Sequence, residues 1–120
     1  MELTLDEALK RGVAAHEAGE IQEADKLYTA ILNVQSKHPD ANHNMGILAV
    51  GVGKLEQALP YFKTAVEVNP SIEQYWISYI KTLIDLDQID EAKTSFLQAR
   101  KSCISGDLFD RFEETLNQQQ

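Results

Sequence analysis

The stretch Gln57-Ala58-Leu59-Pro60-Tyr61-Phe62-Lys63-Thr64-Ala65 has a counterpart 34 residues earlier, running from Glu23-Ala24 through Tyr28 to Ile31, and another 34 residues later, running from Glu91-Ala92 through Phe96 to Ala99. In each copy an acidic or amide residue precedes an alanine, an aromatic ring follows four residues on, and Ile31, Ala65 or Ala99 lies three further. That spacing places the three side chains on one face of an α-helix. Gly19, Gly53 and Asp87 stand five residues ahead of the alanines, and Gly12, Gly46 and Ile80 seven ahead of those. Five columns in one register identify an internal repeat.

Each column has a physical reason. The alanines suit close helix crossings, and the aromatic one turn on fills the space between neighbouring hairpins. Gly19 and Gly53 suit a left-handed turn between paired helices. Gly46 sits inside a helix at a cost of about 1 kcal/mol against Ala, tolerable if a partner helix packs on its backbone. Thr4-x-x-Glu7 reads as a capping box, as does Ser71-Ile72-Glu73-Gln74 after Asn69-Pro70. The pattern predicts helices near 5–18, 21–36, 39–52, 55–68, 73–86, 89–102 and 107–117, the last capped by Asp107. Pro60 falls inside the fourth, where one lost hydrogen bond predicts a slight bend.

A 34-residue helix–turn–helix unit with these columns resembles the tetratricopeptide repeat. The second unit carries Asn44-Met45-Gly46, Gly53, Gln57-Ala58, Tyr61-Phe62, Ala65 and Asn69-Pro70; the third has Trp76 at the family's tryptophan column with Ala92, Phe96 and Ala99. In the first, Ser36 stands where the closing proline is expected and Pro39 comes three residues late. The resemblance implies an all-α fold: a right-handed α-superhelix (α-α solenoid) of three repeats, at 5–38, 39–72 and 73–106, with a capping helix at 107–117 and a polar tail at 118–120. His43-Asn44-Met45-Gly46 with Leu27-Tyr28-Thr29-Ala30-Ile31-Leu32 is similar to the repeats attached to O-linked N-acetylglucosamine transferases and related bacterial proteins.

In that family the first helix of each pair lines a concave face. The corresponding residues are Leu9, Val13 and His16, then His43, Asn44, Ile47 and Val50, then Ile77, Ser78, Lys81 and Ile84. This face is mostly apolar with a few polar points, suiting an amphipathic helix or extended apolar segment of a protein partner. Members that clamp a chaperone's terminal carboxylate use Lys, Asn and Arg there; here Asn44 matches, while Leu9, Val13, Gln74 and Ser78 hold the other positions. The asparagine ladder of transferase arrays is likewise one rung long, since Lys10 and Ser78 flank Asn44 in register.

Other chemistry finds little support. A net charge of −8 with scattered Lys and Arg opposes nucleic-acid binding. There is no 18-residue apolar run to span a membrane and no secretory signal, so a cytoplasmic protein is expected. Gly51-Val52-Gly53-Lys54-Leu55 lacks the spacing and the Ser/Thr of a phosphate loop. His16, His38 and His43 lack metal-ligand spacing, Cys103 has no His near it in sequence, and Glu113-Glu114 reads as solvated surface. No catalytic residue, cofactor or metal is therefore expected. The rival to a peptide groove is self-association, or stacking on further repeats of a longer chain; the stripe Leu108, Phe109, Phe112 and Leu116 is expected to cover one end.

Overall fold

The computed structural model describes residues 3–102, 104 and 106–118, with the backbone alone for 107 and 108. Expectations for Cys103, the Asp107 cap, the Leu108 side chain and Gln119-Gln120 lie outside the described residues. Among the described residues seven helices follow one another: α1 (Leu5–Glu17), α2 (Ile21–Val34), α3 (Pro39–Gly51), α4 (Leu55–Val68), α5 (Glu73–Asp85), α6 (Ile89–Lys101) and α7 (Asp107–Gln118). No strand occurs among the described residues.

The hairpin turns are built alike. Gly19, Gly53 and Asp87 adopt φ of 79°, 81° and 60°. In each turn the following N–H reaches back to the first helix, as Glu20 to Ala15, Lys54 to Ala49 and Gln88 to Leu83, all at 2.8 Å. This is the Schellman closure, which satisfies the last carbonyls of a helix through a left-handed residue. Helix starts are less uniform. Thr4 and Glu7 form the reciprocal capping box, whereas Ser71 does not: its hydroxyl donates to Asn69 Oδ1, and Ile72 occupies the cap of α5 without a side-chain bond. His38 caps α3 through Nδ1, which accepts from the Ala41 N–H, with Pro39 preset for the first turn. α4 runs unbroken through Pro60.

The glycine columns explain the close hairpins. A Cβ on Gly12 would lie 2.4 Å from Tyr28 Cε1, and one on Gly46 would lie 2.4 Å from Phe62 Cε1. The aromatic ring of the second helix therefore rests directly on the backbone of the first. In the third hairpin Ile80 takes the glycine's place and is fully buried. α5 and α6 are correspondingly less closely joined than α1 with α2 or α3 with α4. The Phe96 ring stacks on Phe109 of α7, centroids 4.4 Å apart and planes 10° apart.

Inter-repeat turns use a second matched pair. Buried Asn42 donates through Nδ2 to the Ser36 carbonyl at 3.0 Å. Trp76, in register with it, donates through Nε1 to the Pro70 carbonyl at 2.7 Å. The hairpins stack into a body of 53 × 27 × 22 Å with a radius of gyration of 14.9 Å, against about 13.6 Å for a compact domain of this length.

Candidate binding groove

α3 contacts both α1 and α5, while no comparable closeness joins α2 to α4 or α4 to α6 among the described residues. Helices on the inside of a curved stack sit nearer one another, so α1, α3 and α5 form the concave row. The inner-face positions divide by burial. Val13 is 36% exposed and Lys81 is exposed, whereas Leu9, His16, Asn44, Ile47, Val50, Ile77 and Ile84 are half-buried. Leu9 packs on the core of the first hairpin, and Ile47, Val50 and Ile84 on that of the second and third. These aliphatic side chains therefore serve the interior with part of their surface and leave the rest open.

His43 and Ser78 differ, at 8% and 7% exposure. His43 Nε2 and Ser78 Oγ are 2.8 Å apart and join α3 to α5. The imidazole packs between Phe62 and Tyr75, at centroid distances of 5.4 and 4.9 Å. One turn away the Tyr75 hydroxyl donates to Asp40. Burial, with that hydrogen bond and the Asp40 charge, pushes the Tyr75 phenol far up. Burial lowers the His43 pKa despite opposing help from Asn44 and Asp40. These two residues join α3 to α5 from within and offer a ligand little surface.

The register placed His43 and Ser78 on one face, but not their contact. Two further features were missed. The Tyr28 hydroxyl is buried with no hydrogen-bond partner of good geometry. Burial pushes its pKa up, Asn44 beside it offsets this in part, and the Glu17 charge adds to the rise. A cleft of about 340 Å³ opens between α2, α3 and α4, with Met45, Leu48 and Val52 among its walls beside Asp25, Lys54 and Tyr61. Nothing in the sequence pattern singles out that cleft.

Charge on the concave face is sparse. Lys81 is engaged by Asp85 at 2.9 Å, and Lys10 stands one repeat ahead of Asn44. No group of three or more His, Cys, Asp or Glu side chains is arranged to hold a metal among the described residues. No helix among them is long and apolar enough to cross a membrane.

Comparison with known proteins gives the fold a family context. The sequence model of the tetratricopeptide repeat matches residues 39–72. No curated protein matches the sequence significantly. Among solved structures, the Sgt2 TPR domain from Aspergillus fumigatus is similar at 22% identity and a TM-score of 0.81, over 95% of this chain and 77% of that one. The first TPR of Spaghetti (RPAP3), bound to the HSP90 peptide SRMEEVD, is similar at 17% identity and a TM-score of 0.81, over 98% of this chain and 96% of that one. A tetratricopeptide repeat protein from Parabacteroides merdae ATCC 43184 is similar at 20% identity and a TM-score of 0.84, over 96% of this chain, which spans 45% of that protein. Residues 39–72 thus match the tetratricopeptide repeat, and the chain has the fold of such arrays, an all-α helical-repeat superhelix.

Proposed function

We propose that this chain is a protein-interaction module, working by binding and not by catalysis, whose concave face takes an apolar segment of a partner protein in the cytoplasm. The observation that carries the reading is the row of half-buried or exposed aliphatic side chains along it: Leu9, Val13, Ile47, Val50 and Ile84. A rigid row of helices loses little freedom on binding, so a Kd near micromolar, about −8 kcal/mol, is in reach. The structural neighbour that holds SRMEEVD supports peptide binding on this fold. The acidic chemistry of that peptide fits this groove poorly, because Lys81 is already paired with Asp85 and Gln74 and Ser78 stand where cations would serve.

The likeness to transferase-attached repeats remains a proposal about a longer parent chain, resting on the spelling around Asn44. Self-association by end stacking has less behind it, because α1 turns Glu7 and Arg11 outward and α7 turns out Asp110, Glu113 and Glu114.

The test is panning of a random peptide display library on wild type, Val13→Glu and Ile47→Glu, with helicity checked by circular dichroism. Ile47 also packs on the core, so Val13→Glu is the cleaner variant. Peptides with two or three large apolar side chains should bind wild type and lose at least tenfold in affinity to either variant. Equal binding to wild type and a folded Val13→Glu protein would remove the groove assignment.

A further inference from the structure

The donor count around Ser78 is unusual for a groove floor. The Gln74 amide nitrogen donates to Ser78 Oγ at 3.3 Å, so the hydroxyl accepts there and has one proton to give. His43 Nε2, 2.8 Å away, takes it when the imidazole carries its own proton on Nδ1. The Ser78 carbonyl is occupied by the Thr82 hydroxyl at 2.8 Å. A second proton on His43 would sit on Nε2 and reverse this order. Ser78 Oγ would then face two donors and its own proton would have to turn to the Gln74 carbonyl one turn back, the bond other Ser and Thr hydroxyls of this chain make, while the new positive charge would stay buried between the Phe62 and Tyr75 rings.

The geometry points to the His43–Ser78 contact as a proton-operated latch between the second and third repeats, which holds α3 against α5 while His43 is neutral and releases α5 when it gains a proton. The groups facing the ring make the response one-sided. From α3 itself the Asn44 side chain and the Asp40 carboxylate favour a charged imidazole, but the carboxylate is engaged by the Tyr75 hydroxyl. From α5 come Tyr75, Gln74 and Ser78, and from α4 the uncharged Phe62. On the α1 and α2 side the Glu17 charge acts at Tyr28. Burial outweighs the help from Asn44 and Asp40 and holds the imidazole below its ordinary value. A histidine held below its ordinary 6.5 contributes stability that is complete above that pH and lost as pH falls through the window beneath it. The unfolding equilibrium constant should rise about tenfold for each unit by which the fold lowers the imidazole.

The latch lies beneath Asn44 and Ile47, so its consequence for ligand binding rests on the groove reading, while its titration does not. The deciding measurement is therefore made without ligand: an NMR pH titration from 7.5 to 4.5 following the His43 ring and the α5 amides, beside denaturation of wild type and His43→Gln at pH 7.5 and 5.0. A Gln carbonyl can accept from Ser78 but does not titrate in this range. The latch requires His43 to titrate below 6.5 with the Ser78 amide shifting at the same midpoint, and His43→Gln to lose less stability on acidification than wild type. An ordinary midpoint, a silent α5 or equal acid loss in both proteins would overturn it. If His43→Gln does not fold, the wild-type titration decides alone.

Discussion

Gly46→Ala is the substitution for which local and tertiary physics give opposite answers. Taken alone, α3 gains about 1 kcal/mol when a mid-helix glycine becomes alanine. In the hairpin the new methyl would meet three ring carbons of Phe62, at 2.4, 2.6 and 2.8 Å. Phe62 has nowhere to retreat, being fully buried with the His43 ring against it. Overpacking of this kind costs about 1–3 kcal/mol, and contacts this short belong at the upper end. The net expectation is a loss of about 1–2 kcal/mol, a urea midpoint lower by about 0.5–1 M at a slope near 2 kcal/mol/M. Gly51→Ala is the control on the same helix, because no atom lies within 4 Å of its added Cβ; it should be neutral or stabilising. Phe62→Leu should relieve the clash, so the double variant Gly46→Ala/Phe62→Leu should lose at least about 1 kcal/mol less than the two single losses combined. If Gly46→Ala is as stable as Gly51→Ala, glycine is not there for the ring and the explanation of this column fails.

Three other perturbations probe different joints. Tyr28→Phe deletes a buried hydroxyl without a well-placed partner and should leave stability unchanged or raise it by about 1 kcal/mol in a denaturant titration; a loss above that size would mean Asn44 satisfies the hydroxyl after all. Asp87 holds φ at 60° where the other turns have glycine, so Asp87→Gly should raise Tm and Gly53→Ala should lower it, each by up to about 1 kcal/mol in stability. Phe109→Ala removes a fully buried ring that stacks on Phe96 beneath Arg100 and should cost about 3–5 kcal/mol. Hydrogen exchange should place that loss first in α6 and α7, because repeats contact mainly their neighbours; uniform loss of protection through α1 and α2 would argue against that picture.

How far the sequence could be read depended on whether each residue acts within one repeat. The hairpin turns were legible because φ near 80° calls for glycine locally. So was the box at Thr4, whose two partners lie three residues apart. Ser71 has the same spelling, but its hydroxyl finds Asn69 first. Asn42 and Trp76 were illegible as a pair because they share only an N–H aimed at one carbonyl. On the face that the resemblance assigns to a ligand, the register carried no information on depth. Whether a side chain lines the groove or vanishes beneath it depends on the spacing of α3 and α5, which His43 and Ser78 themselves help set.

The end faces bear on where a partner would sit. Three columns that pack against the preceding repeat change together along the chain. In α5 they are Tyr75, Tyr79 and Thr82, all buried; in α3 they are Ala41, Met45 and Leu48, buried or nearly so. In α1 the same columns are Glu7, Arg11 and Ala14, all exposed and none large and apolar. At the other end α7 closes over Phe96 with Phe109 and Leu116, and Arg100 ties it down through Asp110 and Glu113. Stacking another unit on α1 would bury charge without apolar area in return, which disfavours association. The aliphatic side chains left between these polar ends include the concave row, from Leu9 and Val13 to Ile84. On the function proposed above a partner would lie along that row, across α1, α3 and α5, and its affinity would then depend on how firmly the second and third repeats are held together.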